Sequence, residues 1–363
     1  MKWMLRSDSP LYIQPRLDPR FAAWLARFWR HCSPRAFYAG TEAMSALNDR
    51  TMPLFDEWQE HGVEFEMHEK GLLFLGLSRE PVERFAASMT YLEQFGYESP
   101  KVLNRAELLD IEPHLGPLVT NGFHVKEERH VRPETLTTGL VNRLKAEGVE
   151  IRSGVNVTGA ETWSGKIAGV QTDSGSIAAD KVMIAAGAWS GRVAQRFGVH
   201  LPIEAGKGYS ITIDNPKHKL SHPLDLIEAR AAITPFDNSL RLAGTMELSG
   251  LNLRIRHERV EAIRRAGDRY LGDWRGGEEK VWVGMRPLTP DGLPVIGEVP
   301  GREGLYVAGG HQMLGITMAP ATGELMAELI ATGKSRIDLS PFNPGRFTRS
   351  FRRSSRRAAA MAS

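Results

Sequence analysis

The residues best suited to chemistry gather between Val281 and Gly323, in the run VWVGMRPLTPDGLPVIGEVPGREGLYVAGGHQMLGITMAPATG. Within it, Gly304 to Ala308 reads as a strand that feeds a glycine turn at Gly309-Gly310. A second turn follows at Gly315, and then a helix runs through Ile330. A strand, glycine turn and helix in that order aim backbone N–H groups and the positive end of the helix dipole at one place, where an anion is stabilised. A tight turn without a ligand has the same spelling. Just upstream, Arg286-Pro287 precedes Thr289-Pro290-Asp291-Gly292. A guanidinium fixed beside a rigid turn is the side chain best shaped to hold a carboxylate through two parallel hydrogen bonds. The bland counterpart is a surface ion pair, which contributes little. His311 follows the two glycines, and its imidazole titrates near neutrality, so it reads either as a base or as a residue that shapes the loop; the loop role is favoured.

These residues need elements to hold them. Asp18-Pro19 with Phe21, Leu25, Phe28, Trp29 and Cys32 reads as a capped amphipathic helix. Core packing is its first reading, and a membrane-surface helix with Trp24, Trp29 and several arginines its second. A longer helix is expected from Thr41 to Glu60, and then a hairpin in which Lys70-Gly71 joins Val63–His68 to Leu72–Leu77. Arg132-Pro133 opens a helix that Gly148 stops, with Leu136, Leu140, Val141 and Leu144 on one face. After it come a strand from Val149 to Val157, a small meander from Ile167 to Ala179, and an apolar, buried strand from Lys181 into Ala185-Ala186-Gly187. Residues 203–280 alternate β-rich runs with turns and end in a helix near Glu258 to Tyr270, as an antiparallel sheet with a covering helix does.

Composition bounds what such a chain does. Its 363 residues are 42% hydrophobic and 25% charged, enough for two cores. The net charge is +3, but Arg346, Arg349, Arg352, Arg353, Arg356 and Arg357 carry +6, leaving residues 1–345 at −3. The basic end reads as a solvated tail rather than a nucleic-acid or lipid arm. One cysteine, Cys32, excludes an internal disulfide and a cysteine-rich metal site; no metal is expected, and a reducing, cytoplasmic setting fits. No window approaches the ~20 apolar residues of a membrane span, so membrane contact is at most peripheral, at the inner face.

Taken together, the motifs resemble the D-amino-acid oxidase superfamily of FAD-dependent oxidoreductases, and within it the bacterial D-amino-acid dehydrogenase small-subunit type. The resemblance runs through Met1-Lys2-Trp3-Met4, Lys207-Gly208-Tyr209-Ser210, Ala232-Ile233-Thr234 with Phe236-Asp237-Asn238, the Arg286 segment, and Gly310-His311 to Thr317-Met318. It implies a two-domain α/β flavoprotein, with a Rossmann-like FAD-binding domain on a parallel sheet interleaved with an antiparallel-sheet substrate domain. On that plan 1–125 is a helical leader plus the first part of the substrate domain, 126–200 and 281–338 belong to the FAD domain, 201–280 is the substrate sheet, and 339–363 is a disordered tail. The implied reaction takes a hydride from the α-carbon of a D-amino acid or related amine to the flavin; the imine hydrolyses, and electrons pass to a respiratory acceptor.

By the same resemblance Arg286 pairs the substrate carboxylate, and Gly310, Leu314, Gly315, Ile316 and Thr317 belong with His311 to a loop facing the flavin ring. Val157 contacts the adenine side through its main chain, Ala186 and Gly187 turn beside the cofactor, and Tyr209 either lines the substrate pocket or is core. One departure stands out. Members of the family open with a strand, G-x-G-x-x-G and a helix that hold the pyrophosphate, a segment of about 30 residues, and the motif occurs nowhere in this sequence. An N-terminal truncation is therefore expected, from a late start codon, a shortened gene or a partner chain that supplies the piece. The competing reading is a non-catalytic homologue or binding subunit unable to hold FAD. A nicotinamide-linked enzyme would need its own phosphate loop.

Overall fold

The computed structural model describes residues 9–347. Met1-Lys2-Trp3-Met4 and the arginines from Arg349 onward lie outside them. The chain divides into two discontinuous compact units, one built from 1–15, 63–143 and 207–284, the other from 16–62, 144–206 and 285–363.

The first unit is organised by a nine-stranded, mostly antiparallel sheet. Its strands run in the order Glu279–Leu288, Glu204–Asp214, Ser239–Leu248, Ala231–Phe236, Leu224–Leu226, Leu72–Gly76, Asn121–Val125 and Leu103–Asn104, and Leu11–Ile13 adds parallel to Ser239–Leu248. Period-two alternation turns Tyr209, Ile211 and Ile213 to the same face as Leu240 and Leu242, and all five are buried. The helix His257–Tyr270 covers that face through Val260, Ile263, Ala266 and Tyr270, which is the sheet-plus-helix arrangement expected for 203–280. Among these apolar side chains lies a sealed ionic network. Lys207 and Glu247 sit opposite each other in register with Nζ and Oε1 3.1 Å apart, and Arg259 Nε lies 3.7 Å from Glu247 Oε2. Removing one member would strand a buried charge, a far larger cost than losing a surface pair.

The expected hairpin does not form. Met67–His68 pairs with His130–Val131, while Leu72–Gly76 pairs with Asn121–Val125 and Leu224–Leu226. An isolated two-stranded ribbon buries too little to be stable, whereas the large sheet takes Leu73 and Leu75 out of water entirely.

The second unit holds the parallel pair Val182–Ile184 and Leu305–Gly309, with Val295–Glu298 antiparallel at its edge, and the separate meander Val157–Trp163, Lys166–Thr172 and Gly175–Ala178. Val149–Val157 is not a strand; pairing begins at Val157, because no described strand offers 149–156 a ladder and Gly154, at φ +73°, turns the chain. The helix Pro19–His31 forms where its cap predicts, with Asp18 accepting hydrogen bonds from the N–H groups of Arg20 and Phe21. Its inner face buries Phe21 and Trp24. The helix expected over 41–60 is two helices, Pro34–Asn48 and Thr51–Glu60. A continuous helix would set the Pro53 ring against the carbonyl of Asp49, so the chain restarts and places Pro53 in a first turn.

These two helices pack Leu47 and Leu54 against Met318, Ala321 and Leu325 of the helix Gly315–Thr332. That contact is why 16–62 groups with the parallel strands rather than with the antiparallel sheet. The expected tail also begins later than 339: Ser340–Phe342 and Pro344–Phe347 are helical turns, and Phe342 is buried.

Candidate functional site

The strand Glu279–Leu288 delivers Arg286, whose side chain is largely out of solvent; burial pushes its guanidinium down from the ordinary arginine value. The turn that follows is clamped from both sides. Arg346 grips both carboxylate oxygens of Asp291, at 2.8 and 3.2 Å, and also donates to the Leu293 carbonyl at 2.8 Å. Thr289, fully buried, donates its hydroxyl to the same carbonyl at 2.8 Å. Arg346, counted by sequence among tail arginines, is therefore structural.

Gln312 stitches this turn to the glycine loop. Its N–H donates to the Pro287 carbonyl at 3.1 Å and its Nε2 to Thr289 Oγ1 at 2.6 Å. To do so it adopts φ +56°, a left-handed conformation that costs a non-glycine residue on the order of 1 kcal/mol. Gly310, at φ +75°, comes so close that a Cβ would stand 2.6 Å from Thr289 Cγ2, so only glycine fits. The backbone that follows Arg286 and the loop Gly310–Gly315 are thus tied into one piece.

The helix Gly315–Thr332 begins beside that piece. Leu314 stands at its N-cap without a side-chain hydrogen bond, and the first turn contains no acid, so the leading N–H groups are not capped by the chain itself. Around them Met313, Leu314 and Ile316 are exposed, and nothing approaches the outer side of Gly315. Apolar surface around uncapped donors suits a flat aromatic group carrying negative charge. Thr51 anchors the same turn by donating to the Thr317 carbonyl at 3.0 Å.

His311 Nε2 lies 3.1 Å from Thr322 Oγ1, and burial pushes its imidazole down to about 4. At neutral pH the ring is uncharged and weakly basic, the character of a loop-shaping residue. Ala186 and Gly187 follow the carboxyl end of Val182–Ile184, which pairs in parallel with Leu305–Val307, the strand that runs on into Gly309 and Gly310. Ligands of parallel sheets bind at this end. There Ser190 is fully buried with no hydrogen-bond partner for its Oγ, which lies 3.2 Å from where a Cβ on Gly309 would be. Val157 opens the neighbouring meander and packs on the same apolar cluster as Ala186.

Of the two readings of Tyr209, its surroundings match the core one. Its ring is 1% exposed, its hydroxyl donates to Glu247 Oε2 at 2.7 Å, and burial together with that carboxylate pushes the phenol up. The inward position in the strand commits it to the core and the Lys207–Glu247 network, not to a pocket wall. One further cluster, Glu66, His68 and Asp237 in the antiparallel unit, brings its ligand atoms within 4.8 Å of one another. Glu66 already accepts from the Asp237 N–H at 2.8 Å and faces Arg132 at 3.4 Å, so donors of the chain satisfy it without a cation.

Sequence reasoning missed Gln312, Thr289 and the Asp291–Arg346 clasp. The rigid turn was legible; a glutamine in left-handed backbone, and a clasp spanning 55 residues, leave no local signature.

Residues 19–329 match the family described as FAD dependent oxidoreductase. The chain is 28% identical over 362 residues to a D-amino acid dehydrogenase of Bradyrhizobium diazoefficiens, covering 97% of this chain and 85% of that protein. Its structure is similar to L-proline dehydrogenase from P. horikoshii, with TM-score 0.75, 24% identity and coverage of 84% of this chain and 83% of that one. Glycine oxidase from Geobacillus kaustophilus gives TM-score 0.74 and 26% identity, covering 82% and 80%.

Proposed function

Because the chain belongs to the family of FAD-dependent oxidoreductases, we propose that it oxidises the Cα–N bond of a small amino acid, a D-amino acid in the first instance. FAD, when bound, supplies the acceptor for the hydride. The observation that carries the reading is the piece in which Gln312 ties the Arg286 strand to the start of an uncapped helix.

Each residue then has a task. Arg286 holds the substrate carboxylate and so fixes which Cα–H is presented; a low-dielectric setting strengthens that pairing. The N–H groups of Gly315, Ile316 and Thr317 would favour negative charge on the bound cofactor. Ala186, Gly187 and Gly310, which lack bulk at their turns, would lie along the cofactor, with Val157 toward its adenine end. His311, neutral, keeps the loop in shape. The released imine hydrolyses to an oxo acid and ammonia, and the relatives named a dehydrogenase and an oxidase bracket the two fates of the electrons, to a respiratory acceptor or to oxygen.

The test is direct. The full chain mixed with FAD should show visible flavin bands, and anaerobic D-alanine or D-proline should bleach them. Bleaching by L-enantiomers alone would overturn the D-selective reading; no flavin bands at all would overturn the whole of it.

A further inference from the structure

The strand Leu305–Gly309 carries the glycine loop at one end, and at its other end the second unit holds a cavity the redox site does not use. Its volume is about 590 Å³, within the roughly 300–1,000 Å³ of small-molecule sites. Its walls are the turn Ser164-Gly165 of the meander, the loop 299–303 that joins Val295–Glu298 to Leu305–Gly309, and Leu329 of the helix Gly315–Thr332 with Leu339 beyond it. Four charged side chains line it, and they are unequally committed. Lys166 Nζ and Glu303 Oε1, 2.6 Å apart, neutralise each other. Glu298 accepts only the Gly304 N–H, at 3.0 Å through Oε1, and has no cation within ion-pair distance among the described residues. Arg302 is fixed along its backbone, its N–H donating to the Val299 carbonyl and its carbonyl accepting from the Leu305 N–H, both at 3.0 Å. Its Nη2 rests over Gly198, 2.9 Å from where a Cβ would stand, yet its guanidinium makes no ion pair or hydrogen bond with a described residue.

The remaining lining is apolar and open. Leu329 and Leu339 are partly exposed, and Gly297, at φ +131°, leaves space where a Cβ would meet nothing closer than Pro344 Cδ at 3.6 Å. One uncommitted guanidinium, one uncommitted carboxylate and apolar surface in one cavity match a zwitterion with an apolar side chain. We propose that this cavity binds a free amino acid with a large apolar side chain, at a site separate from the redox centre. Arg302 takes the α-carboxylate, Glu298 the α-ammonium, and Leu329 and Leu339 the side chain. A polyanion such as a nucleotide is disfavoured, because the lining carries two positive and two negative side chains and each phosphate brought to Arg302 also meets Glu298 and Glu303.

Equilibrium dialysis of the full chain, with FAD present, against L-phenylalanine, 3-phenylpropionate and 2-phenylethylamine tests the proposal. Phenylalanine should bind saturably and more tightly than either analogue, each of which lacks one of its two charges. R302Q should weaken phenylalanine binding about 10- to 100-fold, the range of a lost charge-assisted hydrogen bond, and should no longer distinguish it from 2-phenylethylamine. E298Q, on an exposed side chain, should weaken it about threefold and erase the preference over 3-phenylpropionate. Because E298Q keeps an acceptor for the Gly304 N–H, it reads the site in a folded chain even where R302Q does not fold. R286K, which alters the proposed redox site, should leave this binding unchanged. No saturable binding, 3-phenylpropionate bound as tightly as phenylalanine, or a loss caused by R286K and not by R302Q would each overturn it.

Discussion

In the role proposed for it, Arg286 would act through geometry as much as through charge, and the two separate experimentally. Arg286→Lys keeps the charge but loses the two-pronged match to a carboxylate. With charge-assisted hydrogen bonds worth about 1.5–3 kcal/mol, KM should rise roughly 10- to 100-fold while kcat falls less; an unchanged KM for D-amino acids would remove Arg286 from substrate binding. Gln312 poses a subtler question, because its left-handed backbone opposes what its side chain contributes. Gln312→Ala keeps the backbone cost and forfeits the bond to Thr289, so it should be the least stable variant. Gln312→Gly forfeits the same bond but relieves the backbone, and should recover about 1 kcal/mol in urea unfolding. Equal midpoints for the two variants would mean that the conformation is not strained.

At the scale of elements, the helix Gly315–Thr332 sets stability against function. Placing an acid at its N-cap, Leu314→Asp, satisfies its leading N–H groups and should add about 1 kcal/mol to unfolding free energy. The same carboxylate competes for the donors proposed to face the flavin, so flavin affinity and turnover should fall. A variant both more stable and fully active would show that this helix end does not serve the cofactor. This helix was legible in the sequence, as were Pro19–His31 and His257–Tyr270, because caps, proline and apolar spacing are local signals. The Lys70-Gly71 hairpin and the strand at 149–157 were misread for one shared reason: a strand is defined by its partner, and β-branched runs do not say which edge they will meet. The break at Asp49-Arg50 was legible too, had the position of Pro53 been weighed. Within the candidate site, Arg286 and the glycine turn were readable from residue type and spacing. The bonds that join them were not, since they connect side chains far apart in the chain.

Across the two units, burial lowers several histidines, and furthest His130 in the antiparallel unit and His311 in the other, both pushed down to about 4 from an ordinary value of 6.5. The sign of the linkage follows from which state binds the proton more readily. Unfolded, each imidazole protonates as pH falls through 6.5, while the folded one resists until about 4. Their stabilising contribution is therefore complete above pH 6.5 and is lost progressively down to pH 4. The upper bound is roughly 3 kcal/mol for each histidine, reduced where solvent reaches the ring. Because the histidines sit in different units, acid should weaken both, and unfolding monitored by two probes need not coincide. His311→Asn should flatten the dependence of the unfolding midpoint on pH between 6.5 and 4 in the unit that contains the loop proposed to face the flavin, and leave the slope due to His130 in place. Equal pH slopes for His311→Asn and the parent protein would mean that the His311 imidazole takes up its proton as easily folded as unfolded, and so is not sealed beneath the loop.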